Sequence, residues 1–168
     1  MVRSDRERTP PTDRLGRDPH QQDGLLWGFQ LWVNLPARLK LCDPRYQEVS
    51  AARIPTVTRP GVVTVKVIAG EYGGTQGAVR EIAVDPLYLD LALPEGATIE
   101  LPLPPGHAAL CHVFHGQGLV AGTQLDSPML AVLGDGDLLH LTAGGGGLRC
   151  LLAAGRPLRE PVARGARS

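Results

Sequence analysis

The sequence predicts an all-β fold of the sandwich or barrel type. Three observations predict it. Short runs alternate apolar and polar residues with period two, as in Tyr88-Leu-Asp-Leu-Ala-Leu93, the pattern of strands with one buried face. Turn-forming residues are plentiful, with 21 Gly and 15 Pro in 168 residues, enough to punctuate many short strands. No long segment repeats apolar residues at helical spacing; at most a short helix is expected within residues 37–53.

The elements follow in chain order. In Gly28 to Pro36, Phe29, Leu31 and Val33 alternate with Gln30, Trp32 and Asn34, which predicts a half-buried strand that ends at Pro36, a residue unable to donate to a ladder. Residues 61–69 are β-branched, with Thr64 and Lys66 on one face, and Gly70, Gly73, Gly74 and Gly77 then make a long turn. Further strands are expected at 88–93, 98–103, 108–114, 129–133, 138–142 and 148–153. Glu95-Gly96 and Pro104-Pro105-Gly106 are turns between them. Gly116 and Gly118 close the strand at 108–114, Gly122 to Pro128 is turn-like, and Gly144 to Gly147 reads as a mobile hairpin loop. Residues 1–23 mix five arginines with acids and three prolines and offer little aliphatic surface. Such a segment cannot offset its ordering entropy by burial, so disorder is expected. A basic targeting arm is the alternative, weakened because acids balance the arginines.

Composition narrows the function. Lys plus Arg and Asp plus Glu are each 17, for a formal net charge of zero. A direct nucleic-acid binder needs a basic face, so none is expected. No run is long and apolar enough to span a bilayer, and the N-terminus is charged where a signal peptide would be apolar. Cys42, Cys111 and Cys150 are odd in number and widely spaced, which reads as reduced, mostly buried thiols of a cytoplasmic protein.

Several motifs are decoys. Gly116-Gln-Gly-Leu-Val-Ala121 fits Gly-x-Gly-x-x-Ala, but the residues after it do not promise a helix to receive a pyrophosphate. The serines Ser4, Ser50, Ser127 and Ser168 sit in no nucleophile elbow. Glu71, Glu81, Asp85 and Asp90 are spread over turns and strand ends, a solvated role, and Asp135 and Asp137 alternate with glycine as turn residues.

The Gly28 to Pro36 run closely resembles the pirin family, a branch of the cupins. So do Asp43-Pro44-Arg45-Tyr46-Gln47, Ile54-Pro55, Val67-Ile-Ala-Gly-Glu71, Tyr88-Leu-Asp90 and Leu151 to Pro161. The resemblance covers about residues 24–163. It implies a bicupin of two jelly-roll barrels, with iron held in the N-terminal one by a His-x-His pair, a further His and a Glu. It also implies quercetin 2,3-dioxygenase activity in some bacterial members and a nuclear role with Rel-type transcription factors in animals. This chain has no His-x-His and no His-x-Glu. It therefore reads as the C-terminal half: an arm at 1–23, an inter-barrel segment with one strand at 24–60, a cupin barrel at 61–160 and a tail at 161–168. The metal-binding barrel is expected to be missing, as in a truncated paralogue or broken reading frame.

Cupin iron needs imidazole and carboxylate ligands converging from neighbouring strands. Gly136, five residues and Thr142-Ala143-Gly144 resemble the second cupin motif, whose metal histidine would fall at Gly147. Counting back from Gly118, the first motif puts Pro105, His107 and Cys111 at ligand positions. His107 and Cys111 are therefore weak metal candidates, with no cofactor expected for the chain itself. His112 and His115 differ by an odd number and would face opposite ways unless a bulge intervenes. His140 is expected to face solvent or a satisfied neighbour. The expected function is protein interaction or self-association through apolar surface at Phe29, Leu31 and Trp32. The alternatives are an iron-dependent quercetin dioxygenase and a transcriptional co-regulator.

Overall fold

The computed structural model describes residues 21–22, 25–26 and 28–161. The charged arm expected over 1–23 lies outside the described residues except for Gln21 and Gln22, and the tail lies outside them from 162 onward. The chain divides into two units, Met1–Cys42 and Asp43–Ser168.

In the first unit, β1 (Gln21–Gln22) pairs antiparallel with β2 (Leu25–Leu26). The strand expected at Gly28 to Pro36 does not form; these residues carry no regular secondary structure. Alternation buries a face only where a neighbouring strand takes up the backbone hydrogen bonds, and 28–36 has no strand partner among the described residues. Phe29, Leu31 and Val33 are accordingly about as exposed as one another, at 45, 42 and 46%, and Trp32 at 71%. The Pro36 carbonyl accepts from the Leu39 N–H at 2.9 Å and opens a 3-10 turn over Ala37–Leu39. Lys40 Nζ donates to Asn34 Oδ1 at 2.8 Å. The short helix expected within 37–53 is replaced by this turn and a second at Ala51–Arg53. Pro44 and Pro55 restrict the residues before them and prevent a longer helix.

The second unit is built of antiparallel strands. They are β3 (Thr56–Arg59), β4 (Val63–Ala69), the small hairpin β5 (Glu71–Tyr72) and β6 (Thr75–Gln76), β7 (Leu87–Leu93), β8 (Thr98–Pro102), β9 (Ala108–Val120), β10 (Thr123–Asp126), β11 (Met129–Val132) and β12 (Leu138–Gly155). The main path runs β10-β9-β12-β7-β4-β3, with β11 also on β9 and β8 also on β12. The alternation read in the sequence is realised most cleanly in β4 and β7, where every second residue is buried. Val63, Val65, Val67, Leu89 and Leu91 meet Leu101, Val113, Leu141 and Leu152 in one apolar core. Each such side chain contributes about 1.5–3 kcal/mol relative to exposure.

Two long strands tie the layers together. β9 pairs with β11 through residues 110–113 and with β10 through 117–120. β12 pairs with β8 through 138–142 and with β7 through 148–154. Between these halves Gly144 to Gly147 remain inside β12, so the expected hairpin loop is not one. Ala143 faces Gly118 and Leu148 faces Gly116, leaving the four glycines opposite Gln117 alone. Gly146 and Gly147 take φ of +80° and +86°, values that a side chain would strain. Across the gap, a Cβ on Gly116 would run into the Gly147 carbonyl, and one on Gly118 into the Thr142 carbonyl. The strand expected at 108–114 likewise continues through Gly116 and Gly118. The turn expected over 122–128 contains β10, entered by a two-residue turn at Ala121 and Gly122 with φ of +48° and +78°, the handedness a tight hairpin prefers.

Gly116→Ala should cost at least about 2 kcal/mol in urea denaturation, because a backbone atom, not a flexible side chain, blocks the new methyl. Gly134→Ala, where the added Cβ meets nothing within 4 Å, should stay within about 0.5 kcal/mol.

Candidate functional site

His107 and Cys111, the residues named for a metal, have different surroundings. His107 sits in the turn before β9; its backbone N–H donates to the Pro104 carbonyl at 3.2 Å. Its Nδ1 is buried and has no hydrogen-bond partner among the described residues. Cys111 lies on β9, fully buried, diagonally across the ladder from Cys150. His107 precedes the strand, whereas Cys111 stands within it and belongs to the apolar core. Gly147, where the second motif would put its histidine, is one of the strained glycines inside β12. Among the described residues no three of His, Cys, Asp or Glu come together as a metal would need. The buried interior is apolar throughout, with no buried polar or charged residue among those described. The described residues therefore do not fit an iron centre.

The remaining histidines hold one correction. His112 and His115 share a face, because a bulge does intervene. Arg149 pairs with His115 and Cys150 with Val113, which leaves Phe114 as the extra residue. His115 thus stands opposite Arg149 and His112 opposite Leu151, both on the outward side of β12. His112 Nδ1 lies 3.2 Å from the Met129 carbonyl oxygen. His140 behaves as expected: it faces Glu100 across β8, Nδ1 to Oε1 3.4 Å, with both side chains mostly exposed.

That outward side carries a cluster the sequence reading missed. Arg149 Nη2 donates to Asp90 Oδ1 and Oδ2 at 3.3 and 3.2 Å. The same guanidinium lies over the Phe114 ring, 4.9 Å from its centroid. The bulge is what brings Phe114 beside Arg149. Tyr88 sits two residues before Asp90 on β7; burial, and after it the Asp90 carboxylate, push its phenol above the ordinary value. One legible signal existed, a lone arginine in the apolar run Leu148-Arg149-Cys150-Leu151. An ion pair braced by an aromatic ring can orient a charged surface, but it supplies no nucleophile or open coordination position.

Two apolar surfaces also stand out. The first unit exposes Phe29, Leu31 and Trp32. In the second unit β11 pairs with a strand on one side only, to β9, and exposes Leu130 at 55% and Val132 at 82%. Beside it lies an open depression of about 460 Å³ lined by Leu103, Val120, Leu125, Ala131, Leu133 and Leu139 among others.

The Gly-x-Gly-x-x-Ala match runs along β9 into the β9–β10 hairpin, where a nucleotide loop would enter a helix.

Comparison with known proteins places these features. Residues 88–165 match the family model described as the pirin C-terminal cupin domain. The chain is 46% identical over 145 residues to a pirin-like protein of Caulobacter vibrioides, covering 86% of this chain and 52% of that protein. It is 37% identical over 140 residues to pirin of Rattus norvegicus, covering 80% and 47%. A crystal structure of quercetin 2,3-dioxygenase from Acinetobacter baumannii superposes with a TM-score of 0.74 at 31% identity, covering 80% of this chain and 47% of that one. The all-β core is thus a cupin fold. The chain spans about half the length of the curated relatives it matches.

Asp90→Ala and Arg149→Ala should each lower stability by about 1 kcal/mol, and the double variant by clearly less than the sum. A double-mutant cycle in urea measures this; full additivity would show that the pair is not coupled.

Proposed function

This chain belongs to the pirin family, and from that membership we propose that its cupin domain works by protein contact and carries no metal centre of its own. One observation carries the reading: the interior where converging imidazoles would have to stand is packed with Val65, Leu91, Val113, Leu141 and Leu152. A cupin iron site requires several polar ligands with room for dioxygen and substrate. Here the inward positions of β4, β7, β9 and β12 are aliphatic side chains and thiols at close-packed density, and Gly147 has no side chain to offer.

The contact reading draws on the exposed apolar side chains of each unit. Phe29, Leu31 and Trp32 form one such surface in the first unit. Clusters of this kind, exposed in sequence neighbours, mark association surfaces more often than scattered single residues do. The occupant is a protein partner or a second copy of the chain, in a cytoplasmic setting.

A second reading is an iron-dependent dioxygenase of the quercetin 2,3-dioxygenase type, favoured by the likeness to the Acinetobacter baumannii enzyme. It needs ligands that the described residues do not supply, so they would come from elsewhere.

Two measurements separate the readings. Purified protein from iron-supplemented culture is expected to hold substoichiometric iron; stoichiometric iron lost on His107→Ala would favour the enzyme. Light scattering after size exclusion is expected to show association that Leu31→Ser with Trp32→Ser weakens. A clean soluble monomer, unchanged by that double substitution, would overturn the contact reading.

A further inference from the structure

We propose that Cys111 and Cys150 form an internal redox site, a dithiol bridging β9 and β12 that a small peroxide converts to a disulfide. Neither residue is used by the contact reading, and the site stands apart from it.

The register places the pair. Leu152 lies opposite Cys111 and Cys150 opposite Val113, so the two cysteines occupy neighbouring diagonal positions on the inward face. Both are fully buried and belong to the same apolar core. Each thiol is the other's main polar neighbour, and the nearness of Cys150 holds the Cys111 thiol below its ordinary value against the opposing pull of burial. The nearness of Cys111, followed by burial, raises the Cys150 thiol. Cys111 is assigned as the first nucleophile and Cys150 as the resolving sulfur of a two-step oxidation. No third donor stands with them to make a metal site among the described residues.

Cross-strand diagonals place Cα atoms about 7–8 Å apart, just outside the usual disulfide range of about 4.4–6.8 Å. The Phe114 bulge adjoins the pair, because the register shift falls between Arg149 and Cys150. Bulges raise local twist and loosen the ladder, so a side-chain rotation with a small strand shift closes the gap. A bond closed against such strain is easily reduced. Access to the buried pair would run past Ala131. Ala131 is the direct cross-strand partner of Cys111, and it also lines the open depression beside β11. A peroxide entering from that depression would need local opening at Ala131, a small apolar side chain on its wall, to meet the sulfur.

The chemistry balances. The Cys111 thiolate attacks one peroxide oxygen, the O–O bond breaks, and hydroxide leaves with a proton as water, giving a sulfenic acid. The Cys150 sulfur then attacks the Cys111 sulfur, the S–O bond breaks, and hydroxide leaves with the Cys150 proton as a second water. Two thiols are oxidised by one peroxide to one disulfide.

The test uses the full chain with the exposed Cys42 changed to Ser, so that the pair holds the remaining thiols. Folded protein is treated with hydrogen peroxide, quenched, and its intact mass and linked peptides are measured. The expected result is loss of two hydrogens, a cross-link joining the Cys111 and Cys150 peptides, and full reversal by dithiothreitol. Cys150→Ser, checked for folding by circular dichroism, should instead leave a dimedone-reactive sulfenic acid on Cys111. The proposal is overturned if folded protein keeps both thiols open to alkylation after denaturation, if oxygen adds to single cysteines without a cross-link, or if the cross-link forms only once urea has unfolded the chain.

Discussion

The close approach of β9 to β12 is the constraint on which the rest of the structure depends. Each strand is long enough to serve two neighbours, and between the two halves their backbones come nearer than side chains allow. Gly116 and Gly118 face the carbonyls of Gly147 and Thr142 across this gap. Only residues without Cβ fit there, and only residues tolerant of positive φ, such as Gly146 and Gly147, let β12 resume on the correct face. The inward positions of Cys111, Val113, Leu148 and Leu152 all follow from that resumption. So does the outward position of Arg149.

Polar and apolar chemistry are divided by the same register. Inward, the pairing builds an interior of Leu, Val and Cys with no buried polar residue among those described. Outward, it sets Arg149 between Asp90 and Phe114. One guanidinium nitrogen, Nη2, shared by both Asp90 oxygens, combines charge-assisted hydrogen bonding with a cation–π contact to Phe114. Being half exposed, it orders a surface more than it stabilises the fold. The iron chemistry suggested by the resemblance would need the opposite partition, with polar ligands inward.

Much of the fold was legible in the residues, and the reasons for the failures are physical. β4 and β7 are antiparallel with one face buried throughout, so period two in Val63–Ala69 and Leu87–Leu93 describes their burial, while their pairing carries one register shift between Val67 and Ala69. Gly28 to Pro36 shows the same period without forming a strand, because alternation records a preference and pairing needs a partner. The glycines at 144–147 were read as a loop because local propensity cannot distinguish a turn from a strand crossing a crowded neighbour. The candidate site was less legible. His107 and Cys111 share a spacing in sequence but not a neighbourhood. The shared face of His112 and His115 depends on one extra residue, Phe114, whose bulge is defined only against β12. The Cys111 and Cys150 pair is separated by 38 positions and meets only through register.

The four glycines opposite Gln117 have a consequence for how this chain can vary. They leave three residues of β12 without counterparts on β9, so the strand holds slack at its centre. Elsewhere in the sheet an added residue turns the buried face to water unless a bulge absorbs it, as one does at Phe114. At the four glycines the backbone already resets its facing through left-handed residues. Insertions and deletions are therefore expected to accumulate here among descendants of this sequence, while the half-strands on either side keep their partners.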